Sequence, residues 1–461
     1  MGRQPTTCVQ VSGYRFLIRR TEHALVRGDV RMIDDPLRAQ TLSLVAGCVL
    51  TAVLVAAFGI LAYLRPQGTL GDATIVMVRE SGALYVRIGD TMHPVLNLAS
   101  ARLIAGAPTD PEAVSASAIA GAKRGPLVGI PGAPAGSGIP LPTDESGWAV
   151  CDDSSSTTVI AGLSDRIAGF ASGAGILVTP RSEGAAITYL LFDGWRARVD
   201  LRNRAVVRAL RLDGVKPRPV SRVLLDSIPE APALTAPQIP SLGSPGPLPE
   251  FTVGTVLRVN RAATAEYYVV LAQGVQRIGE VAADLIRFTN SQNGPRIVTV
   301  TPDAIGEVPI VNALSLRVFP EHAGIAEEAV VCAYWRPAGR SSTAAVLLGD
   351  SFTGGAGMSS VTLAQADGEG PNVDAVSIPS GRNAYVRSTG IVWRGERTGP
   401  LHLVDDSGVV FGLHDEAAAS YLGLTSAPAV APWPILAALP RGPELSKDAA
   451  SVTRDSLAGA P

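Results

Sequence analysis

Lysine is almost missing from this chain of 461 residues: apart from Lys123, Lys216 and Lys447, its 39 cations are arginines. Such a skew follows from coding bias in a GC-rich genome, and no long basic run accompanies it. The net charge of −2 and pI near 6.3 exclude a nucleic-acid binder, which needs a basic face. The phosphate loop G-x-x-x-x-G-K-[ST] is missing as well. Lys123 alone lies near a Gly-rich turn, in Gly121-Ala-Lys123-Arg-Gly125, without the spacing or the following Ser or Thr, so ordinary ATP binding has no seat. Gly173-Ala-Gly175 and Gly355-Ala-Gly357 lack the third glycine of a dinucleotide turn, and there is no G-x-S-x-G elbow. The five histidines, His23, His93, His322, His402 and His414, are scattered, with no two at i, i+3 or i+4. His402 and His414 are placed to meet across a hairpin, a weak basis for a metal site. Asp405-Asp406, ending in Gly408, reads as a turn and not as a carboxylate pair. Nothing here argues for catalysis, and neither a metal site nor a cofactor site is expected.

Long apolar runs are missing too, with one exception. Thr41 to Leu64 carries no charge and is bounded by Arg38 and Arg65. As a helix it spans roughly 36 Å, enough to cross a hydrocarbon core of about 30 Å. A signal peptide would want a shorter leader and a small-x-small cleavage site, so a single retained transmembrane helix over 41–64 is expected. Residues 1–40 hold seven Arg against Glu22, Asp29, Asp34 and Asp35, which keeps this arm cytoplasmic and exports 65–461. Within the arm Val11, Tyr14, Leu17, Ile18 and Leu25 recur at helical spacing with Arg15, Arg19 and Arg20 alongside, the pattern of an amphipathic helix at the membrane surface or against a partner. Tyr14, Phe16, Leu17, Arg19 and Arg20 are its candidate partner-binding residues, the alternative being a solvated flank.

There are only four cysteines, and the anchor sorts them: Cys8 before it, Cys48 within it, Cys151 and Cys332 beyond it. Two cysteines in an oxidising compartment most simply pair; the alternative is two separately buried thiols. Both contexts, Trp148-Ala-Val-Cys151 and Cys332-Ala-Tyr-Trp335, read as strand, with the aromatics placed to pack over a bridge.

The exported part has 48 Gly and 35 Pro in the whole chain to draw on, rich in turns but short of disorder, and 46% hydrophobic content supplies a core. Four stretches read as hairpin plus short helix: 84–104, 189–210, 267–288 and 401–424, with Asn97 and Asn203 as caps and Asp193-Gly194 as a hairpin turn. Two share a tail, Leu224-Leu-Asp-Ser-Ile-Pro229-x-x-Pro232-x-Leu234 and Ile435-Leu-Ala-Ala-Leu-Pro440-x-x-Pro443-x-Leu445, making the second and fourth units long and the others short. A hairpin with one helix cannot bury its apolar face alone. The reading is therefore α+β: repeats near 70–120, 183–234, 252–294 and 396–446 docked on a mixed core from about 140–180 and 295–395, with Thr235 to Pro249 as a Pro-rich connector.

Val11-Ser-Gly-Tyr-Arg-Phe-Leu-Ile-Arg-Arg20, Leu64-Arg-Pro-Gln-Gly68, Ser81-Gly-Ala-Leu-Tyr-Val86, Pro94-Val-Leu-Asn-Leu-Ala-Ser-Ala-Arg-Leu103, Arg124-Gly-Pro-Leu-Val-Gly-Ile-Pro-Gly-Ala-Pro134 and Gly442-Pro-Glu-Leu-Ser-Lys447 closely resemble EccB, the membrane subunit of the mycobacterial ESX (type VII) secretion apparatus. The similarity runs nearly end to end and is strongest toward the EccB group of the fourth ESX system. What it implies is a single-pass inner-membrane protein with a cytoplasmic N-terminus, a periplasmic core flanked by four repeats, self-association of the periplasmic body, and assembly with EccC, EccD and EccE. Family members are also described as ATPases, so the resemblance would bring ATP as a ligand, against the missing phosphate loop. An ATP hydrolase and a cell-wall-binding module are the rival readings.

Overall fold

The computed structural model describes the chain except residues 1–6, 29–35, 65–69, 137, 166, 168, 174, 182–186, 262–263, 290–296, 317, 351–358 and 456–461. Arg65 and the Gly355-Ala-Gly357 turn lie outside the described residues. Two compact units result, 1–71 with 114–120, and 72–113 with 121–461.

The first unit contains two long helices and the short helix Ala116–Ala120. Cys8–Arg27 starts where Thr7 donates its N–H to Gln10 Oε1 at 3.1 Å and stops at Gly28, whose φ of 70° lets its N–H reach the Ala24 carbonyl at 2.9 Å. Pro36–Leu64 is a single helix of 29 residues. Thr41–Leu61 is its stretch long and apolar enough to span a bilayer.

The second unit is α+β, and four repeats recur in it. Each is a three-stranded antiparallel meander followed by a helix: Ile75–Val78, Leu84–Ile88, Thr91–Val95 and Leu98–Ala105; Ile176–Pro180, Thr188–Phe192, Trp195–Val199 and Arg204–Ala209; Val256–Arg261, Thr264–Leu271, Gly274–Ile278 and Glu280–Thr289; Arg382–Thr389, Leu401–Val404, Val410–Leu413 and Glu416–Tyr421. Local chemistry sets the joints. Asn97 caps the first helix by accepting from Ser100 N at 2.9 Å, and Asn203 and Asp415 do the same for the second and fourth. Asp193 and Gly194 both have positive φ, 46° and 78°, as a two-residue hairpin turn requires.

After its helix the chain adds a return strand parallel to the first strand of the meander, visible as Arg218–Val220, Val298–Val300 and Ala429–Pro432 in repeats two to four. It then lays a short strap beside the third strand. The strap is present in all four repeats: the N–H groups of Met92, Arg196, Val275 and Val410 donate to the carbonyls of Lys123, Pro229, Pro309 and Pro440 at 2.8 to 2.9 Å. The tail match in the sequence marks it only in the second and fourth, because the other two straps carry different side chains on the same backbone path.

The repeats bury their helices in pairs. Val206, Ala209 and Leu210 of the second pack with Val281 and Leu285 of the third, and Ala99 and Leu103 of the first with Ala418, Ala419 and Leu422 of the fourth. Fully burying one such Leu or Val is worth roughly 1.5–3 kcal/mol. The C-terminal strand Thr453–Arg454 pairs with Leu127–Val128 and closes the first repeat's sheet.

Between the pairs lies a six-stranded sheet in the order 341–349, 330–338, 147–152, 157–163, 375–377, 360–362. Its second and third strands, 330–338 and 147–152, are antiparallel, with Cys332 directly opposite Cys151 and Trp335 opposite Trp148. The cysteines are bonded, 181 residues apart in sequence. Chain order gives the unit an approximate two-fold relation, in which the two core hairpins correspond, the first repeat to the third and the second to the fourth. Helices Arg222–Asp226 and Trp433–Ala438 meet as an equivalent pair, bringing Leu224, Leu225 and Ile228 into one core with Ile435, Leu436 and Leu439.

Two expectations are corrected. Side chains alternate across a sheet, so Trp148 and Trp335 belong to the face that holds Val150 and Ala333, while Cys151 and Cys332 lie on the other with Ala149, Tyr334 and Leu347. The tryptophans therefore back the sheet behind the bridge, and of the aromatics in the two contexts it is Tyr334 that shares the bridge's face. Segments assigned to the core by position also belong elsewhere: Ile176–Pro180, 298–311 and Arg382–Thr389 hydrogen-bond in repeats two, three and four. The six-stranded sheet draws instead on 147–163, 330–349 and 360–377, because each repeat needs a first strand that sequence periodicity does not distinguish from a core strand.

A buried polar node fixes the second repeat to this sheet. Asp152 is fully buried; it accepts the Ser221 N–H at 2.5 Å and the Ser221 hydroxyl at 3.0 Å, with Arg181 at 3.8 Å. Burial pushes its carboxyl above the usual range, against the pull of Ser221 and Arg181. Ser221 in turn caps helix Arg222–Asp226 through Leu224 N. Replacing Cys151 and Cys332 together with Ala is expected to cost about 2–5 kcal/mol, read as a lower unfolding temperature of the full-length chain. An unchanged temperature would mean that strand pairing alone holds the centre.

Candidate functional site

No three His, Cys, Asp or Glu side chains are placed to hold a metal among the described residues. His402 and His414 do not meet. His402 faces Gly412 across the hairpin, and His414 lies beyond the strand, its Nδ1 2.8 Å from Glu444. His402 is buried, neither ring nitrogen has a partner, and its ring lies 5.7 Å from Trp433, over which Arg441 is placed at 5.0 Å. Burial, then the Arg441 charge, lowers the His402 pKa, whereas the Glu444 hydrogen bond raises that of His414. Asp405 and Asp406 are turn residues: Asp405 accepts from Ser407 N and Val409 N, and Asp406 from Gly381 N.

Two cavities among the described residues are lined in ways that do not suit a phosphate. A 590 Å³ pocket is lined by Asp153, Asp350 and Arg218 among others, but the Arg218 guanidinium already donates to the carbonyls of Glu328 and Ala329. Gly173 and Gly175 line a 190 Å³ pocket whose charged side chains include Asp193 and Glu321, which repel phosphate.

The arm offers two surfaces. Tyr14, Phe16 and Leu17 are exposed by 67%, 55% and 59%, and Arg19 and Arg20 are also exposed. At about 100° per residue, Tyr14 and Leu17 share a face with Val11, Ile18 and Leu25, while Phe16 falls roughly opposite, between Arg19 and Arg20. The five candidates thus divide into an apolar face and a face carrying one aromatic between two cations.

The straps supply a set of equivalent positions that sequence reading missed. The residue after Lys123, Pro229, Pro309 and Pro440 is Arg124, Glu230, Ile310 and Arg441. Arg124 donates to Tyr85 Oη at 2.9 Å, Glu230 pairs with Arg196 and Arg198, and Arg441 covers Trp433. Proline before three of the four was the available signal.

One membrane-length helix, with four strapped repeats around a bonded sheet, is the architecture of an anchored scaffold. Residues 3–459 match the family model described as type VII secretion system ESX-1, transport TM domain B, and the chain belongs to that EccB family. Among relatives, the ESX-5 secretion system ATPase EccB5 of Mycobacterium tuberculosis is 36% identical over 98% of this chain and 94% of its own length. The ESX-3 secretion system ATPase EccB3 of Mycolicibacterium smegmatis is 36% identical over 98% and 91%. A chain in the structure of an intact ESX-5 inner membrane complex matches all of this chain and 98% of its own at 34% identity, with a TM-score of 0.71. The EccB3 dimer from the ESX-3 core complex matches 82% of this chain and 100% of its own at 32% identity, with a TM-score of 0.72.

The two histidines predict opposite pH dependences. His402, with its pKa depressed in the fold, contributes stability that is present above the free value near 6.5 and lost as pH falls through its folded value. His414, raised, contributes below about 6.5 and loses its contribution as pH rises through its folded value. The unfolding temperature of His402→Phe is expected to fall less than that of the wild type between about pH 7 and pH 5. Parallel curves would assign the acid loss to other groups.

Proposed function

We propose that the chain is a structural membrane subunit of a type VII (ESX) secretion core complex and builds the part of that complex lying across the inner membrane from the cytoplasm. The observation that carries this is the match along the whole chain, anchor included, to a subunit of an intact ESX-5 inner membrane complex. The arm, with its excess of Arg, stays on the cytoplasmic side, and the repeats and core are periplasmic. EccC, EccD and EccE are the membrane partners, and the periplasmic body associates with further copies of itself, a reading supported by the dimer of its ESX-3 relative.

The ATPase label of the relatives is not the favoured reading for this chain. It has no phosphate loop, and the arginine of its 590 Å³ pocket is held by backbone carbonyls. The subunit needs no cofactor in this role. Purified full-length chain is expected to hydrolyse ATP no faster than a mock preparation. Activity that follows the chain through repurification and is lost on a point substitution would reverse this.

The arm is the docking element for the cytoplasmic parts of EccC or EccD, since contacts of this kind rest on a few aromatic and Arg anchors. Replacing Tyr14, Phe16 and Leu17 with Ala should release the chain from the solubilised complex while the Cys151–Cys332 bond still forms. Because Phe16 faces away from the other two, Phe16→Ala alone tests the cationic face and Tyr14→Ala with Leu17→Ala the apolar one. Co-purification of the triple variant at the wild-type ratio would make the arm a solvated flank.

A further inference from the structure

We infer that the third repeat's strap, Val308 to Ala313, is a contact between two copies of this chain, pairing with itself antiparallel about a two-fold axis at Ile310. The inference deepens the self-association just proposed and rests on it. It begins from the four equivalent strap positions. In three of them the side chain is charged and engaged within its own repeat: Arg124 on Tyr85, Glu230 on Arg196 and Arg198, Arg441 on Trp433. In the third it is Ile310, 72% exposed.

The backbone is disposed for pairing. Val275 receives the strap through the Pro309 carbonyl and the Val311 N–H. In a parallel bridge of this kind the N–H and C=O of Ile310 point to the opposite, open side, and no further strand lies beyond it among the described residues. The missing N–H of Pro309 falls on the inner side, where it removes nothing from the outer edge. The fold already contains the mode of closure: the first repeat, related to the third by the approximate two-fold, has its strap Leu127–Val128 covered by the antiparallel strand Thr453–Arg454.

Charge selects a second copy as the occupant. Antiparallel self-pairing at Ile310 sets Pro309 opposite Val311, Val308 opposite Asn312 and Glu307 opposite Ala313, so no like charges face each other. The same pairing at the other straps would place Arg124 on Arg124, Glu230 on Glu230 or Arg441 on Arg441, and like charges directly opposite are destabilising. Charged residues on edges are a common device against such pairing, and the third strap is the one without it. An isologous contact joins a patch to itself and closes as a dimer contact.

The test uses the full-length chain in its membranes, with Cys8→Ser and Cys48→Ser removing the free thiols. Ile310→Cys under mild oxidation should give a covalent dimer, and Glu230→Cys, at the equivalent place in the second repeat, should not. Ile310→Arg should lower self-association of the solubilised complex several-fold, with the Cys151–Cys332 bond intact as the check on folding; Ile310→Ser serves if the arginine disturbs the fold. Absence of the Ile310→Cys dimer in a complex that still self-associates would overturn the strap contact and leave the subunit role standing. Equal cross-linking at both positions would also overturn it, and a wild-type chain that never self-associates would overturn the reading beneath it as well.

Discussion

The bonded pair on adjacent strands of the six-stranded sheet is the point on which the architecture of the second unit turns. Cys151 and Cys332 face each other on adjacent antiparallel strands, one from each core hairpin, and are bonded. A bond there constrains both halves at once, since each cysteine lies in the first strand of its core hairpin and each hairpin is flanked by two repeats. The face behind the bond carries the two tryptophans and the paired helices, so the covalent link and the largest side chains hold opposite surfaces of one sheet.

The halves are also interleaved. The segment that follows the first core hairpin seals the outer strand of the second, with Ala171 and Leu348 exchanging two hydrogen bonds at 3.0 and 2.9 Å. The segment that follows the second returns to the first, with Ala375–Ser377 alongside Thr158–Ile160. Edges that would invite foreign strands are thereby covered by the chain's own partner half. Association is left to places where the covering is thin.

Much of this was legible in the residues. Glycine turns, Asn caps and alternating apolar positions located the hairpins and helices because those signals are local and tied to backbone geometry, as at Asn97 and Asp193-Gly194. The disulfide was legible from compartment logic. What the sequence did not reveal was ownership: Ile176–Pro180 and Arg382–Thr389 look like core strands, and only long-range pairing assigns them to repeats. The straps escaped for a similar reason. Each touches its sheet through only one or two residue pairs, too few to leave a periodicity, and three of the four show no more than a proline. Phe16 was grouped with Tyr14 and Leu17 by proximity in sequence, whereas a helix separates them to opposite sides.

The strand Thr453–Arg454 lies at the far end of the described chain, and its partner Leu127–Val128 near the beginning of the second unit. The helix just before it, Lys447–Ala450, packs on Leu98–Ala105 of that same first repeat. A chain emerging from its N-terminal end therefore cannot finish its first repeat until residues 447–454 have arrived. Products truncated before them would leave that sheet with a bare edge and its helix stripped of cover, so this repeat closes only after the three that follow it in sequence.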